Sequence, residues 1–135
     1  MDIKPHISAG AFRGGAFASS GMIQALLVSA LVLLNQGFNV AATIGFARSG
    51  LAESMAAFVG WQIVGSIFGL GTQITFAGMV RFLSLRFANA IGIGLAFVSV
   101  QIFSAYISFH EPFSAAQWIG TALVFLGILF IALGH

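Results

Sequence analysis

Four long apolar stretches divide the chain from Met22 to Leu133, separated by short polar breaks. They cover about residues 22–46, 55–79, 87–109 and 113–133. Each holds just over twenty residues, enough for an α-helix to cross a hydrocarbon core of roughly 30 Å at about 1.5 Å per residue. The runs are continuous rather than alternating, which argues against a transmembrane barrel. Only His110, Glu111 and Pro112 part the third run from the fourth. So short a break predicts antiparallel neighbours, and the first two runs predict a second hairpin packed on that one. The expected fold is all-α and integral to a membrane: one domain of four transmembrane helices over residues 22–135, arranged as two antiparallel hairpins.

The polar residues inside the runs are not scattered. In the first, which also holds Gln24, Asn35, Asn39 and Thr43 recur every four residues, and Ser29, Gln36 and Thr43 recur every seven beside them. In the second, Gln62, Ser66, Gly69 and Gln73 form one stripe, and Gly65 with Gly69 gives a GxxxG spacing that permits close helix approach. Lipid tails cannot hydrogen-bond a carboxamide, so these faces should turn toward protein or water. The third run opens with the small-residue ladder Ala88, Gly92 and Ala96. Its Gly92-Ile93-Gly94 triplet predicts a kink or a tight crossing, since each glycine costs about 1 kcal/mol against alanine in a helix. Gln101, Ser104 and Ser108 share a face further on. The fourth run has no polar lining past Thr121, but carries Gly120 and Gly127 seven residues apart, a seam suited to packing on another helix.

The breaks have their own signals. Residues 48–54 predict a loop, with Gly50 placed to end a helix in the left-handed conformation. Residues 81–86 predict a second loop, with Ser84 as N-cap of the third helix. Ser114 and Gln117 fit a capping box for the fourth.

Composition narrows the class. Only 6% of the 135 residues are charged, 59% are hydrophobic and mean hydropathy is +1.05. Three acids and five bases could not cover a soluble domain. An excess of two positive charges does not indicate nucleic-acid binding, and with no cysteine there are no disulfides or thiolate metal sites. His6, His110 and His135 share no ligand spacing, no nucleophile–base pair or phosphate loop is visible, and neither enzyme activity, metal nor cofactor is expected. Residues 1–21, rich in Gly, Ala and Ser, predict a flexible or interfacial arm ahead of a retained first helix. Lys4, Arg13, Arg81 and Arg86 fall on one side and Arg48 on the other. The positive-inside rule then puts both termini in the cytoplasm, with Trp61, Tyr106 and Trp118 near the outer interface.

The segment Leu83-Ser84-Leu85-Arg86-Phe87-Ala88-Asn89-Ala90-Ile91, the Gly92/Gly94 turn, His110-Glu111-Pro112-Phe113-Ser114 and the Gly120…Gly127 pair together resemble the four-helix drug/metabolite transporter superfamily. That group comprises the small multidrug resistance proteins and their EamA-type relatives. The similarity covers about residues 22–133 and is strongest from Leu83 onward. It implies a bacterial cytoplasmic-membrane protein, and Gly120 and Gly127 match the pair that the small multidrug proteins use for dimerisation. The departures bear on mechanism. Those proteins carry a proton- and cation-binding glutamate in their first helix, and here that helix has no acid. Their A-Y-A-I tyrosine is Asn89 here, and the aromatic that follows it is Gly92. Proton-driven export of aromatic cations is therefore not expected, and the chain is closer to acid-free relatives proposed to flip a modified polyprenyl lipid.

The expected function is a half-size transporter or flippase-like subunit. It would move a neutral, anionic or lipid-linked substrate by alternating access, as a homodimer or with a paired four-helix subunit, among membrane lipids. Asn35, Gln36, Asn39, Gln62, Ser66, Gln73 and Asn89 are the candidate path residues. Gly92, Gly94, Gly120 and Gly127 are the candidate packing or dimer seam. The alternative is a non-transporting structural subunit of a larger membrane complex that reuses the fold, with the same polar residues serving as interhelical glue.

Overall fold

A computed structural model describes residues 21–133. The expected arm over residues 1–21 lies outside the described residues except for Gly21, as do Gly134 and His135. The described chain is four helices, with no strand among the described residues. These are α1 (Gly21–Gly50), α2 (Met55–Phe82), α3 (Leu85–Ser108) and α4 (Ala115–Leu133). The first three are long and apolar enough to cross a membrane. The fourth is apolar over Ala115–Ile131 and is shorter.

The breaks are narrower than the sequence predicts. Helix α1 continues through Arg48 to Gly50, and no described glycine has a positive φ, so Gly50 does not act as a left-handed cap. Turn bonds from Leu51 N to Arg48 O and from Ala52 N to Ser49 O carry the chain out of α1. Ser54 then caps α2 by accepting from Ala57 N at 3.2 Å. Helix α2 runs on through Arg81 to Phe82, leaving only Leu83 and Ser84 as the second break. Ser84 does cap α3, accepting from Phe87 N at 3.4 Å. The capping box before α4 closes in both directions: Gln117 N donates to Ser114 Oγ at 3.3 Å, and Ser114 N donates to Gln117 Oε1 at 2.8 Å. Breaks shrink because every helical turn kept inside an apolar medium keeps its backbone groups paired.

Helix α3 widens at the glycine triplet, and both glycines sit at tight crossings, Gly92 against Phe76 and Gly94 against Ile128. It is π-helical over Ala90–Leu95 and again over Val100–Ser108, with one α turn, Ala96–Ser99, between. Such wide turns are rare and occur mostly as short insertions, often at functional sites. At its end, His110 takes a φ of 54°, the position glycine usually fills. Tyr106, Phe113 and Trp118 close that turn with centroids 5.2–5.9 Å apart, Tyr106 meeting both partners edge to face and Phe113 tilted against Trp118.

The packing is inverted relative to a soluble domain. Apart from Met79, the buried side chains are small or polar: Ala42, Ala88 and Ala96, with Asn35, Gln36, Ser49, Thr75, Ser104 and Thr121. Large apolar side chains such as Leu33, Ile67, Ile74, Ile93 and Phe130 face outward. Within the three long apolar stretches only 17–22% of residues are buried. Water would penalise that outer surface heavily, whereas lipid accepts it.

Helix α1 packs chiefly on α2, stepping down one as it steps up the other. Gly45 meets Gly65, Phe38 lies against Gly71, and Leu31 against Gly78. The tightest point is Gly45 on Gly65, where a Cβ on Gly45 would fall 2.8 Å from Gly65 N. The predicted Gly65/Gly69 pair is thus half used: Gly65 is covered by the Phe46 ring, while nothing lies within 4 Å of a Cβ on Gly69. Helix α3 lies mainly on α1, and α4 mainly on α3.

Candidate functional site

Asn35 lies midway along α1, 1% exposed, and it organises the interior. Its Nδ2 donates to Thr72 O at 2.9 Å and to Thr75 Oγ1 at 3.0 Å, both on α2. Its Oδ1 accepts from Gln36 Nε2 at 3.3 Å and from Asn39 Nδ2 at 3.2 Å. Asn39 Nδ2 also donates to Asn35 O at 2.9 Å, and Gln36 Nε2 to Ile91 O on α3 at 3.4 Å. The first-run carboxamides thus tie three helices together. Thr72 and Thr75 hold their own hydroxyls on α2 carbonyls, so α2 presents bonded oxygens to Asn35.

One side of this layer opens into a cavity of about 340 Å³. Asn35 and Asn39 come from α1, Gln73 and Phe76 from α2, and Asn89 and Ile93 from α3. Four of the seven predicted path residues therefore meet there. Gln73 and Asn89 are exposed, so in a single copy the cavity opens sideways between α2 and α3. Gln73 is about 13 Å from the Phe82 end of α2 at 1.5 Å per residue. A carboxamide at that depth would face hydrocarbon if nothing covered it, at a cost of several kcal/mol.

The other predicted path residues lie elsewhere. Gln36 lines a separate cavity between α1 and α3. Gln62 is engaged at the Ser49 end of α1: its Nε2 donates to Ser49 Oγ at 2.9 Å, and Ser49 Oγ donates to Phe46 O at 2.7 Å. Ser66 shares a shallow outer groove of α2 with Gln62. The stripe splits by depth: Gln62 and Gln73 share a face but lie about 16 Å apart along α2, so Gln73 reaches the cavity at mid-helix while Gln62 meets Ser49 near the end of α1. Ser49, buried, was not picked out from the sequence; its serine alone gave no signal.

The predicted glycine seam also divides. A Cβ on Gly92 would fall 2.9 Å from the Phe76 ring, and one on Gly94 2.7 Å from Ile128 of α4. These two are contact glycines inside the chain. Gly120 and Gly127 have nothing within 4 Å, so that face of α4 is free. Helix α3 supplies the last anchor: Ser104 Oγ donates to Val40 O at 3.4 Å.

The cavity holds no acid or base. Its chemistry is hydrogen bonding by carboxamides, which offer donors and acceptors together. Among the described residues, no three His, Asp or Glu side chains lie together to hold a metal.

Fold and site together define the class: an all-helical protein whose long apolar helices are suited to a membrane and which encloses a neutral polar layer. No family model and no solved structure matches the chain. Over 87 residues, 64% of this chain and 71% of the relative, it is 37% identical to the uncharacterized protein y4nH of Sinorhizobium fredii (strain NBRC 101917 / NGR234). The chain belongs to that protein's family. The relative's name states no activity and passes none to this chain.

Proposed function

We propose that this chain is a half-size membrane transporter or flippase-like subunit of the drug/metabolite transporter type. Its four helices cross a bacterial cytoplasmic membrane as two antiparallel hairpins with both ends in the cytoplasm. The observation that carries the reading is the carboxamide-lined cavity in a bundle whose outside is apolar. Asn39, Gln73 and Asn89 border a space that a single copy leaves open at the side. A second copy, or a paired four-helix subunit, would cover the exposed Gln73 and Asn89 and enclose a path. The free glycines of α4 offer the complementary contact between subunits. The substrate is neutral, anionic or lipid-linked, because no acid lines the cavity to balance a cation.

The chain has no cysteine, which makes a clean test possible. Asn39→Cys and Gln73→Cys variants in sealed proteoliposomes are treated with a membrane-impermeant maleimide from outside, then from inside. Alternating access requires each cysteine to be modified from both sides. Cysteines that neither side reaches would overturn transport. The structural-subunit reading would then stand, and the Asn35 network, already bonded to α2, favours it as the second account.

A further inference from the structure

Gln73 and Asn89 are the exposed carboxamides of the lateral opening between α2 and α3. The interior carboxamides of Asn35, Gln36 and Asn39 all bond within the chain, whereas neither Gln73 nor Asn89 bonds another described residue. Gln73 lies about 13 Å from the Phe82 end of α2, and Asn89 about 6 Å from the Leu85 end of α3. Acyl chains at the depth of Gln73 offer it no hydrogen-bond partner, so another protein surface must. A carboxamide carries a donor and an acceptor side by side, which makes it its own complement. Two of them facing across a two-fold axis exchange two N–H···O bonds, a match that a surface of unrelated sequence would meet only by chance. Identical chains assemble most often as such a two-fold pair, in which one patch meets itself.

We propose that the α2–α3 face joins a second copy of this chain in a parallel, two-fold dimer, with Gln73 against the partner's Gln73 and Asn89 against the partner's Asn89. Depth decides the orientation. Gln73 and Asn89 differ in depth by about 7 Å, so copies running the same way bring like to like at both levels. A copy turned end for end about the middle of α2 would instead bring Val64 to the level of Gln73. Charge agrees. Among the described residues, the end where α2 meets α3 carries Arg81 and Arg86 and no acid, and the other end carries Arg48 with Glu53 and Glu111. Basic residues set how a chain inserts, so both copies enter the membrane the same way. The partner then completes the cavity, adding a second pair of carboxamides to a space that one copy leaves open. This names the covering subunit of the proposed transporter, and it rests on that reading's membrane-spanning arrangement and not on transport.

Cysteine pairing in this cysteine-free chain tests the contact. Gln73→Cys and Asn89→Cys variants are treated in membranes with a short bis-maleimide, and covalent dimer is read on a denaturing gel. Ile74→Cys, exposed at nearly the same depth but about 100° round α2, controls for collision. Both test variants are expected to give covalent dimer well above the Ile74→Cys level. The unmodified protein is expected at twice the 14.1 kDa chain mass by native mass spectrometry. Gln73→Leu should raise the dimer dissociation constant about tenfold or more, the loss of two interhelical bonds. Linking of Gln73→Cys to co-expressed Val64→Cys, without self-linking, would mean an antiparallel pair and overturn the proposal. Linking confined to Gly120→Cys and Gly127→Cys of α4 would overturn it too. So would an unmodified protein that is monomeric or paired one-to-one with an unlike chain, and that result counts even if a variant fails to fold. A self-linked dimer whose Asn39→Cys is closed to maleimide from both sides would keep this pairing and refute transport. Access from both sides without self-linking would keep transport and refute the pairing.

Discussion

Replacing Gly45 by alanine tests the contact on which the α1–α2 pair closes. An ideal Cβ there lies 2.8 Å from Gly65 N, 2.9 Å from Gly65 Cα and 3.4 Å from Trp61 O. Carbon atoms rest at about 3.5–4.0 Å, so the shortfall is roughly 0.5–1 Å. All three neighbours are backbone, and no rotamer change relieves them. The helices must part, which also stretches the Asn35 bonds to Thr72 and Thr75, 2.9 and 3.0 Å long. Overpacking of this kind costs about 1–3 kcal/mol. Alanine simultaneously returns about 1 kcal/mol of helix propensity. Gly37→Ala on the same helix supplies the control, because nothing lies within 4 Å of its Cβ and the propensity gain is shared. The difference between the two variants therefore isolates the contact, and Gly45→Ala should be the less stable by about 1–3 kcal/mol. The assay is reversible unfolding in mixed micelles as the fraction of sodium dodecyl sulfate rises, followed by circular dichroism and by tryptophan emission. A Gly45→Ala variant as stable as Gly37→Ala would refute the Gly45–Gly65 approach.

Asn35→Leu removes both bonds from α1 to α2. At about 0.6–1.7 kcal/mol per interhelical bond in a bilayer, the same unfolding assay should show a loss of roughly 1–3 kcal/mol. Gly94→Ala drives a Cβ into the Ile128 side chain, which is flexible, so Ile128→Ala should rescue it. A double-mutant cycle should give a coupling of about 0.5–3 kcal/mol, and a coupling of zero would mean that α3 and α4 do not meet there. Ser84→Ala should cost about 1 kcal/mol at the start of α3, read as faster hydrogen exchange of the Phe87 amide with the rest of the helix unchanged.

Much of the local structure was legible because it depends on neighbours in sequence. Ser84 and the Ser114/Gln117 pair announce helix starts, since a cap bonds within three residues. The apolar runs announce helices, since lipid leaves the backbone no other partner. The ends of α1 and α2 were less legible. Arg48 and Arg81 look like loop residues, but each sits in a last helical turn, where a cation favours the helix dipole and a long side chain reaches the interface. Arg48 in addition lies over the Trp61 ring, 4.9 Å from its centroid. The site was legible as a set of polar positions but not as a grouping. Asn35, Asn39, Gln73 and Asn89 meet, while Gln62 and Ser66 do not, because a stripe fixes which side chains share a face and not which neighbour that face meets.

By itself, then, the sequence determined the elements and their character: four helices, an apolar exterior suited to a membrane, polar residues set within the apolar runs, and no charge among those polar residues. Those properties follow from composition and period, which are summed along the chain. Only the tertiary structure decided the partners. It chose Gly65 rather than Gly69 to meet Gly45, made Asn35 the hub, widened α3 at Gly92 and Gly94, and left Gln36 Oε1 without a donor. The reason is geometric. A close approach or a buried bond depends on the rotation and depth of two helices together, and neither helix carries that information alone.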